Sequence, residues 1–157
     1  MKYVIRKAVI EDLKSVQDLN YELFKKELND GYDDSLNINW PYEETGEKYF
    51  TNQINNHFVY VTTDNNKIVG YLSGYIKQPN SAFTKTKVEL DNMIVDEYYR
   101  NQGIGKALVA AFKDWCFENG AEVILVTASA KNEKGINFYK KVGFKDHEVT
   151  LELKLSD

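Results

Sequence analysis

The spacing of apolar residues along the chain switches repeatedly between a period of two and a period of three to four. The shorter period is typical of strands and the longer one of helices. Strand patterns occupy residues 2–8, a hairpin over 57–76 that turns at 64–66, and residues 86–96, 122–128 and 149–155. Helical patterns occupy residues 13–28, 43–56, 104–116 and 133–142. This mixture predicts one α/β domain over residues 1–157.

Three segments carry more specific expectations. Residues 122–128, EVILVTA, form a continuous apolar run, which predicts a strand buried on both faces. Residues 149–155, VTLELKL, alternate between apolar and polar and predict a final strand. Residues 29–42 are rich in Asp, Asn and Gly and include Pro41, so they predict a loop.

Composition narrows the classes of protein. The 157 residues are 43% hydrophobic, which is enough for one sizeable core. A formal net charge of −4 argues against a nucleic-acid partner, because such proteins usually carry a basic face, and it fits a pocket for cations better. Cys116 is the single cysteine, so an internal disulfide is excluded. With no signal-peptide pattern and no apolar run near the roughly 18 residues of a membrane span, we expect a cytoplasmic protein without a membrane partner.

Residues 98–108, YYRNQGIGKAL, place two glycines between a strand pattern and a helix pattern. A dinucleotide fingerprint would need a third glycine at Leu108, and a P-loop would need Ser or Thr at Ala107, so both phosphate motifs are disfavoured. Glycines at a helix start still let backbone N–H groups converge on an anion, which the helix dipole favours. On spacing alone, an anion site and a tight turn without a ligand both stay open.

A second motif follows downstream. The pattern R-x-x-G-x-G at residues 100–105 is succeeded by NEKGINFYKKVGF, which contains Asn132, Tyr139 and the pair Gly143-Phe144. In this order and on these elements, the two motifs resemble the GNAT superfamily of acetyl-CoA-dependent N-acetyltransferases. The resemblance is strongest over 88–144 and covers nearly the whole chain. It implies a central, mostly antiparallel twisted sheet whose fourth and fifth strands are parallel and splay apart, flanked by about four helices and ending in two strands.

The resemblance also implies which residues bind the co-substrate acetyl-CoA. Backbone N–H groups of the glycine loop would hold its pyrophosphate, with Arg100 shaping the loop, and the end of the fourth strand would pair with its pantetheine arm. Asn132 would reach that arm, act as a plain helix N-cap, or do both. The polar Asn92 is compatible with a bulge where the strands splay. The loop residues are Asn101, Gln102, Gly103, Ile104, Gly105 and Lys106, the strand residues are Met93, Ile94 and Val95, and no metal is implied.

In this family an acceptor amine attacks the thioester directly, so the site has to take a proton from an ammonium and return one to the departing thiolate. The resemblance places Tyr139 at the general-acid position, where a phenol of ordinary pKa is protonated at pH 7. Glu89, eleven residues before Arg100, matches the catalytic glutamate of some members, and Asp91 follows on the same strand face. The alternatives are that Tyr139 only packs and that Glu89 is a solvated surface charge.

These expectations predict an N-acetyltransferase that acetylates a primary amine of a small molecule or peptide, and the competing hypothesis is a non-catalytic acyl-CoA-binding module. Residues 27–47 carry no Lys or Arg and many acids, which favours a cationic acceptor, although a solvated acidic loop explains them equally well. The acidic residues of this segment are Glu27, Asp30, Asp33, Asp34, Glu43, Glu44 and Glu47.

Two further expectations concern assembly and the cysteine. Dimers are common in the family, so a homodimer is also expected. Cys116 lies on the apolar side of the helix predicted over 104–116, so we expect its thiol to be packed in the core.

Overall fold

The structure is a computed structural model that describes residues 2–156. Its strands are β1 (Val4–Lys7), β2 (Phe58–Asp64), β3 (Lys67–Ile76), β4 (Lys87–Val95) and β5 (Val123–Val126). Its helices are α1 (Leu13–Asn29), α2 (Glu44–Asn56), α3 (Ile104–Glu118) and α4 (Glu133–Lys141). Short 3-10 turns precede α1 and α2 and follow β4. The predicted helices and the first five strands are confirmed to within a few residues.

The five strands form one sheet in chain order, antiparallel throughout except that β4 and β5 are parallel. The β2–β3 hairpin turns through Asn65 and Asn66, whose φ angles are 48° and 68°. Asn is the non-glycine residue that most readily adopts this left-handed conformation, and two such residues in a row suit a tight hairpin turn. The predicted hairpin and its turn are therefore confirmed.

Each face of the sheet covers its own hydrophobic core. On one face, Phe58, Leu72 and Leu90 pack against α3 residues Leu108 and Phe112. On the other face, the strand residues Val59, Val61 and Tyr71 pack against Val16 of α1 and Phe50 of α2. Since both cores are formed by side chains of the same strands, the sheet is the rigid layer that fixes α1 and α2 relative to α3.

The pairing of β4 is irregular at its centre. In the β3–β4 ladder Gly74 lies opposite Leu90 and Ser73 lies opposite Asn92, so Asp91 is an extra, unpaired residue. The β4–β5 ladder ends at the Leu90–Val126 pair, and β4 continues to Val95 without β5. The bulge, with which Asn92 is compatible, and the splay of the fourth and fifth strands were both implied by the resemblance and are confirmed.

Two strand predictions need correction. Residues 149–155 are not a strand in the structure, because no neighbouring strand pairs with them within residues 2–156, and their apolar side chains are exposed. The β5 residues are half-buried and not enclosed on both faces, because β5 is the edge strand and nothing extends the sheet beyond it in the described chain. Among the described helices, none is both long enough and apolar enough to cross a bilayer.

Candidate active site

The glycine loop ends with a row of free backbone donors. Asn101 and Gly103 have φ angles of 61° and 83°, and α3 begins at the next residue, Ile104. Ala107 makes the first hydrogen bond of α3, from its N–H to the Gly103 carbonyl oxygen at 3.1 Å. Within residues 2–156, the backbone N–H groups from Asn101 to Lys106 have no acceptor. Free N–H groups at the positive end of a helix dipole are suited to bind an anion.

Side chains hold this loop in place while its backbone donors stay free. The Arg100 Nε donates to the carbonyl oxygen of Val95 at 2.8 Å, which ties the loop to the end of β4. The Tyr3 hydroxyl donates to the side-chain oxygen of Gln102, which ties the loop to the chain before β1. Ile104 is buried in the core under α3. These three contacts therefore anchor the loop and leave its backbone donors free.

Glycine occupies the two positions of the loop for different structural reasons. A Cβ at Gly103 would meet nothing within 4 Å, so glycine is favoured there by its φ of 83° and not by lack of space. A Cβ at Gly105 would lie 3.3 Å from the ring of Phe138 in α4 and 3.9 Å from Met93. Gly105 therefore also permits the close approach of α3 to α4, a reason that sequence spacing alone does not supply.

The end of β4 offers an open strand edge beside this loop. Met93, Ile94 and Val95 pair with β3 on one edge, and no described residue pairs with them on the edge toward β5. Arg100 already occupies the Val95 carbonyl oxygen. The remaining free groups lie where an extended ligand with amide groups could add as a further strand.

Asn132 caps α4, as one of the two sequence hypotheses proposed. Its Oδ1 accepts a hydrogen bond from the Gly135 N–H at 3.0 Å, and its Nδ2 has no acceptor in the described part of the chain. A Cβ at Gly135 would lie 2.4 Å from that Nδ2, so the cap requires glycine at this position. Sequence analysis missed Gly135, although a glycine three residues after a candidate N-cap was the available signal.

Tyr139 lies in an aromatic cluster of α4. Its ring makes edge contacts with Phe138 and Phe144, at centroid distances of 5.2 and 5.5 Å. Burial, with a smaller contribution from the charge of Glu27, raises the pKa of Tyr139 to about 12. The ordinary pKa expected for Tyr139 from the sequence is therefore too low. The raised pKa keeps the phenol protonated at pH 7, as expected. The hydroxyl has no hydrogen-bond partner in residues 2–156, so it is free to donate its proton.

Two carboxylates share one face of β4 at the splay. The Glu89 carboxylate lies 4.0 Å from the Lys77 Nζ. Burial raises the pKa of Glu89, Lys77 lowers it, and the charge of Asp91 raises it further. Asp91 accepts hydrogen bonds from the Tyr49 hydroxyl and from the Asn92 Nδ2, the latter at 2.8 Å. Its carboxylate is reached by solvent from one side, yet surrounding protein atoms raise its pKa by desolvation.

A chain of polar side chains leads from α1 to Asp91. The Asn20 Nδ2 donates to the Tyr71 hydroxyl at 3.1 Å, and that hydroxyl donates to the Asn92 Oδ1. The bulge makes this chain continuous, because it turns the adjacent Asp91 and Asn92 toward the same face of the sheet. Sequence analysis missed Asn20, Tyr49 and Tyr71, whose partners lie too far along the chain for any local pattern to reveal them.

The acidic residues between 27 and 47 separate into two groups. Three of the seven form ion pairs at the surface: Asp30 pairs with Lys26, Glu44 with Lys48, and Asp34 with Lys154. Glu27 is half-buried, and burial followed by the charge of Asp33 raises its pKa. The charge of Glu27, a residue of α1, also contributes to the raised pKa of Tyr139.

Cys116 lies on the buried side of α3, and burial raises the pKa of its thiol to about 12. A thiol with such a pKa is a poor nucleophile, so the predicted packing role is confirmed. No group of three metal-ligating side chains comes together within residues 2–156.

Comparison with known proteins gives consistent matches. The sequence model of the Acetyltransferase (GNAT) family matches residues 18–144. An uncharacterized N-acetyltransferase of Methanocaldococcus jannaschii, MJ1207, is 23% identical over 94% of this chain and 62% of its own length. The glucosamine 6-phosphate N-acetyltransferase of Trypanosoma brucei brucei is 30% identical over 57% of this chain and 58% of its own. N-alpha-acetyltransferase 30 of Schizosaccharomyces pombe is 29% identical over 66% and 67%. The chain thus spans about three fifths of the first curated relatives it matches.

Solved structures share the fold. A mutant of the BH1408 protein from Bacillus halodurans superposes with a TM-score of 0.85 at 21% identity, covering 98% of this chain and 99% of that one. The aminoglycoside N-acetyltransferase AAC(6')-Iy in complex with CoA superposes with a TM-score of 0.72 at 18% identity, covering 97% and 93%. At these identities the likeness concerns the fold.

Proposed function

Because this chain belongs to the Acetyltransferase (GNAT) family, we propose that it transfers the acetyl group of acetyl-CoA directly to a primary amine of a small-molecule or peptide acceptor. The observation that carries the proposal is the row of free backbone N–H groups from Asn101 to Lys106, placed at the start of α3 beside the unpaired end of β4. The relatives are named for glucosamine 6-phosphate, for N-alpha acetylation and for aminoglycosides, and these names share amine acetylation.

The described residues fit acetyl-CoA in chemistry. The free N–H groups of the loop suit a pyrophosphate, which is an anion, and the positive end of the α3 dipole adds to them. Met93 and Ile94 present a free strand edge to the amide groups of a pantetheine arm, and Asn132 keeps its Nδ2 for the same arm. When bound, acetyl-CoA supplies the acetyl group as a thioester that an amine can attack.

The carboxylate pair of Glu89 and Asp91 is proposed as the proton acceptor. Two half-desolvated carboxylates on one strand face do not both ionise easily, so the pair takes up a proton more readily than an isolated carboxylate. The pair takes one proton from the ammonium, which frees the nitrogen lone pair for attack on the acetyl carbon. As the carbon–nitrogen bond forms and the carbon–sulfur bond breaks, Tyr139 gives its phenolic proton to the departing sulfur, and the second proton lost by the nitrogen restores the phenol.

The electrostatics of the site favour a cationic acceptor. Glu27 from α1 and the Glu89–Asp91 pair from β4 are partly desolvated, and all three have raised pKa values because of burial. Partly desolvated negative charges attract cations more strongly than the same charges on a solvated loop. Polyamines, aminoglycosides and peptide α-amines meet this requirement.

The proposal is tested with the purified protein in two steps. Acetyl-CoA should raise the melting temperature in a concentration-dependent manner, whereas NAD should leave it unchanged. CoA release from acetyl-CoA is then followed with a thiol reagent across polyamines, aminoglycosides, glucosamine 6-phosphate and short peptides with free N-termini, each against a control without amine. Stabilisation without release for any amine would leave a non-catalytic acyl-CoA-binding module, and no stabilisation would overturn the assignment of the loop.

A further inference from the structure

The Asp91 carboxylate is held through only one of its two oxygens. The Tyr49 hydroxyl and the Asn92 Nδ2 both donate to Asp91 Oδ2, the latter at 2.8 Å. In the described chain Asp91 Oδ1 accepts no hydrogen bond and Asp91 forms no ion pair. The neighbouring Glu89, by contrast, lies 4.0 Å from the Lys77 Nζ. Asp91 therefore keeps one oxygen and a negative charge available for a ligand.

The bulge makes the two donors to Asp91 necessary. Asp91 is the extra residue of β4, and no residue of β3 lies opposite it. In a regular strand the pleat and the cross-strand neighbour fix the direction of a side chain, whereas a bulged residue lacks the second of these constraints. The hydrogen bonds from Tyr49 and Asn92 supply it instead, because a carboxylate oxygen held by two donors has little freedom to rotate.

Asn92 donates to Asp91 because buried residues orient its amide. The Tyr71 hydroxyl accepts a hydrogen bond from the Asn20 Nδ2 at 3.1 Å and donates its own proton to the Asn92 Oδ1. An amide has its acceptor and its donors on opposite sides, so the bond from Tyr71 turns the Asn92 Nδ2 toward Asp91. The hydrogen bonds all run in one direction, from Asn20 to Asp91, and in such a chain each bond strengthens the next.

Packing alone does not explain this chain of hydrogen bonds. Asn20 and Tyr71 are both 0% exposed, and the Asn20 Oδ1 has no hydrogen-bond partner in the described chain. A buried oxygen without a donor destabilises the fold, and an apolar side chain at this position would avoid the loss. A proton relay is also a poor explanation, because the amides of Asn20 and Asn92 do not titrate near pH 7. The chain is suited to orienting Asp91.

We propose that Tyr49 and Tyr71 are positioning residues, which hold Asp91 so that its Oδ1 accepts a hydrogen bond from the ammonium group of the acceptor. The inference rests on the proposed function and deepens it, because it assigns recognition of the cationic amine to one atom. An oxygen that is fixed before the amine arrives loses no further freedom when the amine binds.

The first experiment uses the protein without any ligand and measures the pKa of Asp91 by NMR of its carboxyl carbon. Hydrogen bonds to a carboxylate favour its charged form, so Tyr49→Phe should raise this pKa by about one pH unit and Tyr71→Phe by less. An unchanged pKa of Asp91 in both variants would overturn the proposal. The other titratable groups around Asp91, which the same titration has to follow, are Tyr49 of α2, Tyr71 and Tyr75 of β3, and Glu89 of β4.

Tyr42→Phe is the matched control for this titration. The Tyr42 hydroxyl also donates to an aspartate, Asp18, at 2.7 Å, outside the chain of hydrogen bonds that leads to Asp91. The control should raise the pKa of Asp18 and leave that of Asp91 unchanged. Tyr49 is only half-buried, so Tyr49→Phe decides the outcome if loss of the buried Tyr71 hydroxyl prevents folding.

The second experiment measures steady-state kinetics with the amine that gives the fastest CoA release. Tyr49→Phe and Tyr71→Phe should each raise KM for this amine by about 10-fold and leave KM for acetyl-CoA unchanged. In an Asp91→Asn background the same substitutions should add little, because the carboxylate that they position is absent. Full addition in that background, or an effect on acetyl-CoA, would show that the two tyrosines only support the fold.

The two experiments separate this inference from the proposed function. A wild-type chain that releases no CoA with any amine would contradict acetyl transfer and, with it, the binding of an ammonium by Asp91. The NMR titration would then still decide whether Tyr49 and Tyr71 hold the carboxylate. An active wild type whose Asp91 pKa and KM for the amine do not respond to the tyrosine variants would overturn the inference and leave the proposed function intact.

Discussion

The two halves of β4 differ in what surrounds them. From Lys87 to Leu90 the strand pairs with β3 on one edge and with β5 on the other, and Val88 and Leu90 are 0% and 1% exposed. Asp91 is unpaired, and from Asn92 to Val95 the strand pairs with β3 alone. This second half carries the carboxylate at the bulge and the free edge proposed for the pantetheine arm. The first half thus contributes two core side chains together with Glu89, whereas the second half leaves free the edge that is proposed to bind the cofactor.

The division has a specific cause. The extra residue at Asp91 changes the register on β3, and the β5 ladder ends at the Leu90–Val126 pair. At the bulge the Asp91 carboxylate accepts a hydrogen bond from Tyr49 of α2, and beyond Leu90 the backbone edge toward β5 is left free. A bulge re-aims side chains and ends pairing at once, which is why bulges occur beside active sites.

The largest expected effect comes from the paired half. Leu90→Ala leaves a cavity in the core between the sheet and α3, so the free energy of unfolding should fall by about 2–5 kcal/mol in denaturant titrations. Met93→Ala is the control in the open half of β4. Because the Met93 side chain is only half-buried, this variant should lower the free energy of unfolding clearly less. Equal losses for the two variants would contradict the division of β4.

Removal of the phenolic hydroxyl tests the chemistry next to the open half. Tyr139→Phe keeps the ring contacts with Phe138 and Phe144, so stability should be retained while kcat falls about 100-fold or more. Because the pKa of Tyr139 is about 12, the loss should be uniform between pH 6 and 9, and steady-state kinetics can measure it. Tyr60→Phe, in β2, is the control and should leave kcat unchanged. Normal turnover by the Tyr139 variant would show that Tyr139 only packs and does not act as the general acid.

The anion site is tested by a pair of glycine variants at the two ends of α3. Gly103 and Gly120 have φ angles of 83° and 74°, and a Cβ at either meets nothing within 4 Å. Valine should therefore introduce similar backbone strain at both sites, of about 1–3 kcal/mol. We expect only Gly103→Val to weaken acetyl-CoA binding, by about 30-fold in calorimetric titrations. Similar losses of affinity in both variants would show that backbone strain causes the effect and that the loop does not bind the anion.

The smallest effect concerns the pH dependence of kcat/KM. A general base acts in its deprotonated form, so activity falls as pH drops below its pKa. The charge of Asp91 raises the pKa of Glu89, so Asp91→Asn should move the acid limb toward lower pH if Glu89 accepts the proton. Glu89→Gln should move the profile toward higher pH, because the ammonium must then lose its proton unaided. An unaltered pH profile in the Glu89 variant would show that Asp91 or solvent, and not Glu89, accepts the proton.

Local patterns predicted much of the site. The glycine turn, the helix after it and the Asn132 cap all depend on residues within a few positions of one another, and each is present in the structure. The bulge was implied by the family resemblance, with which Asn92, a polar residue on the apolar face of the strand, was compatible. Tyr49 and Tyr71 were not predicted, because their roles depend on Asp91 and Asn92, which lie 42 and 21 residues away.

The sequence by itself determined the order and type of the helices and the first five strands, because hydrophobic period and turn chemistry act through neighbouring residues. Only the tertiary structure decided which strand patterns find partners. The run at 122–128 became a half-buried edge strand, and the alternating run at 149–155 remained unpaired within residues 2–156. A strand forms only when a second strand accepts its backbone hydrogen bonds, and alternation along one segment holds no information about where that second strand lies.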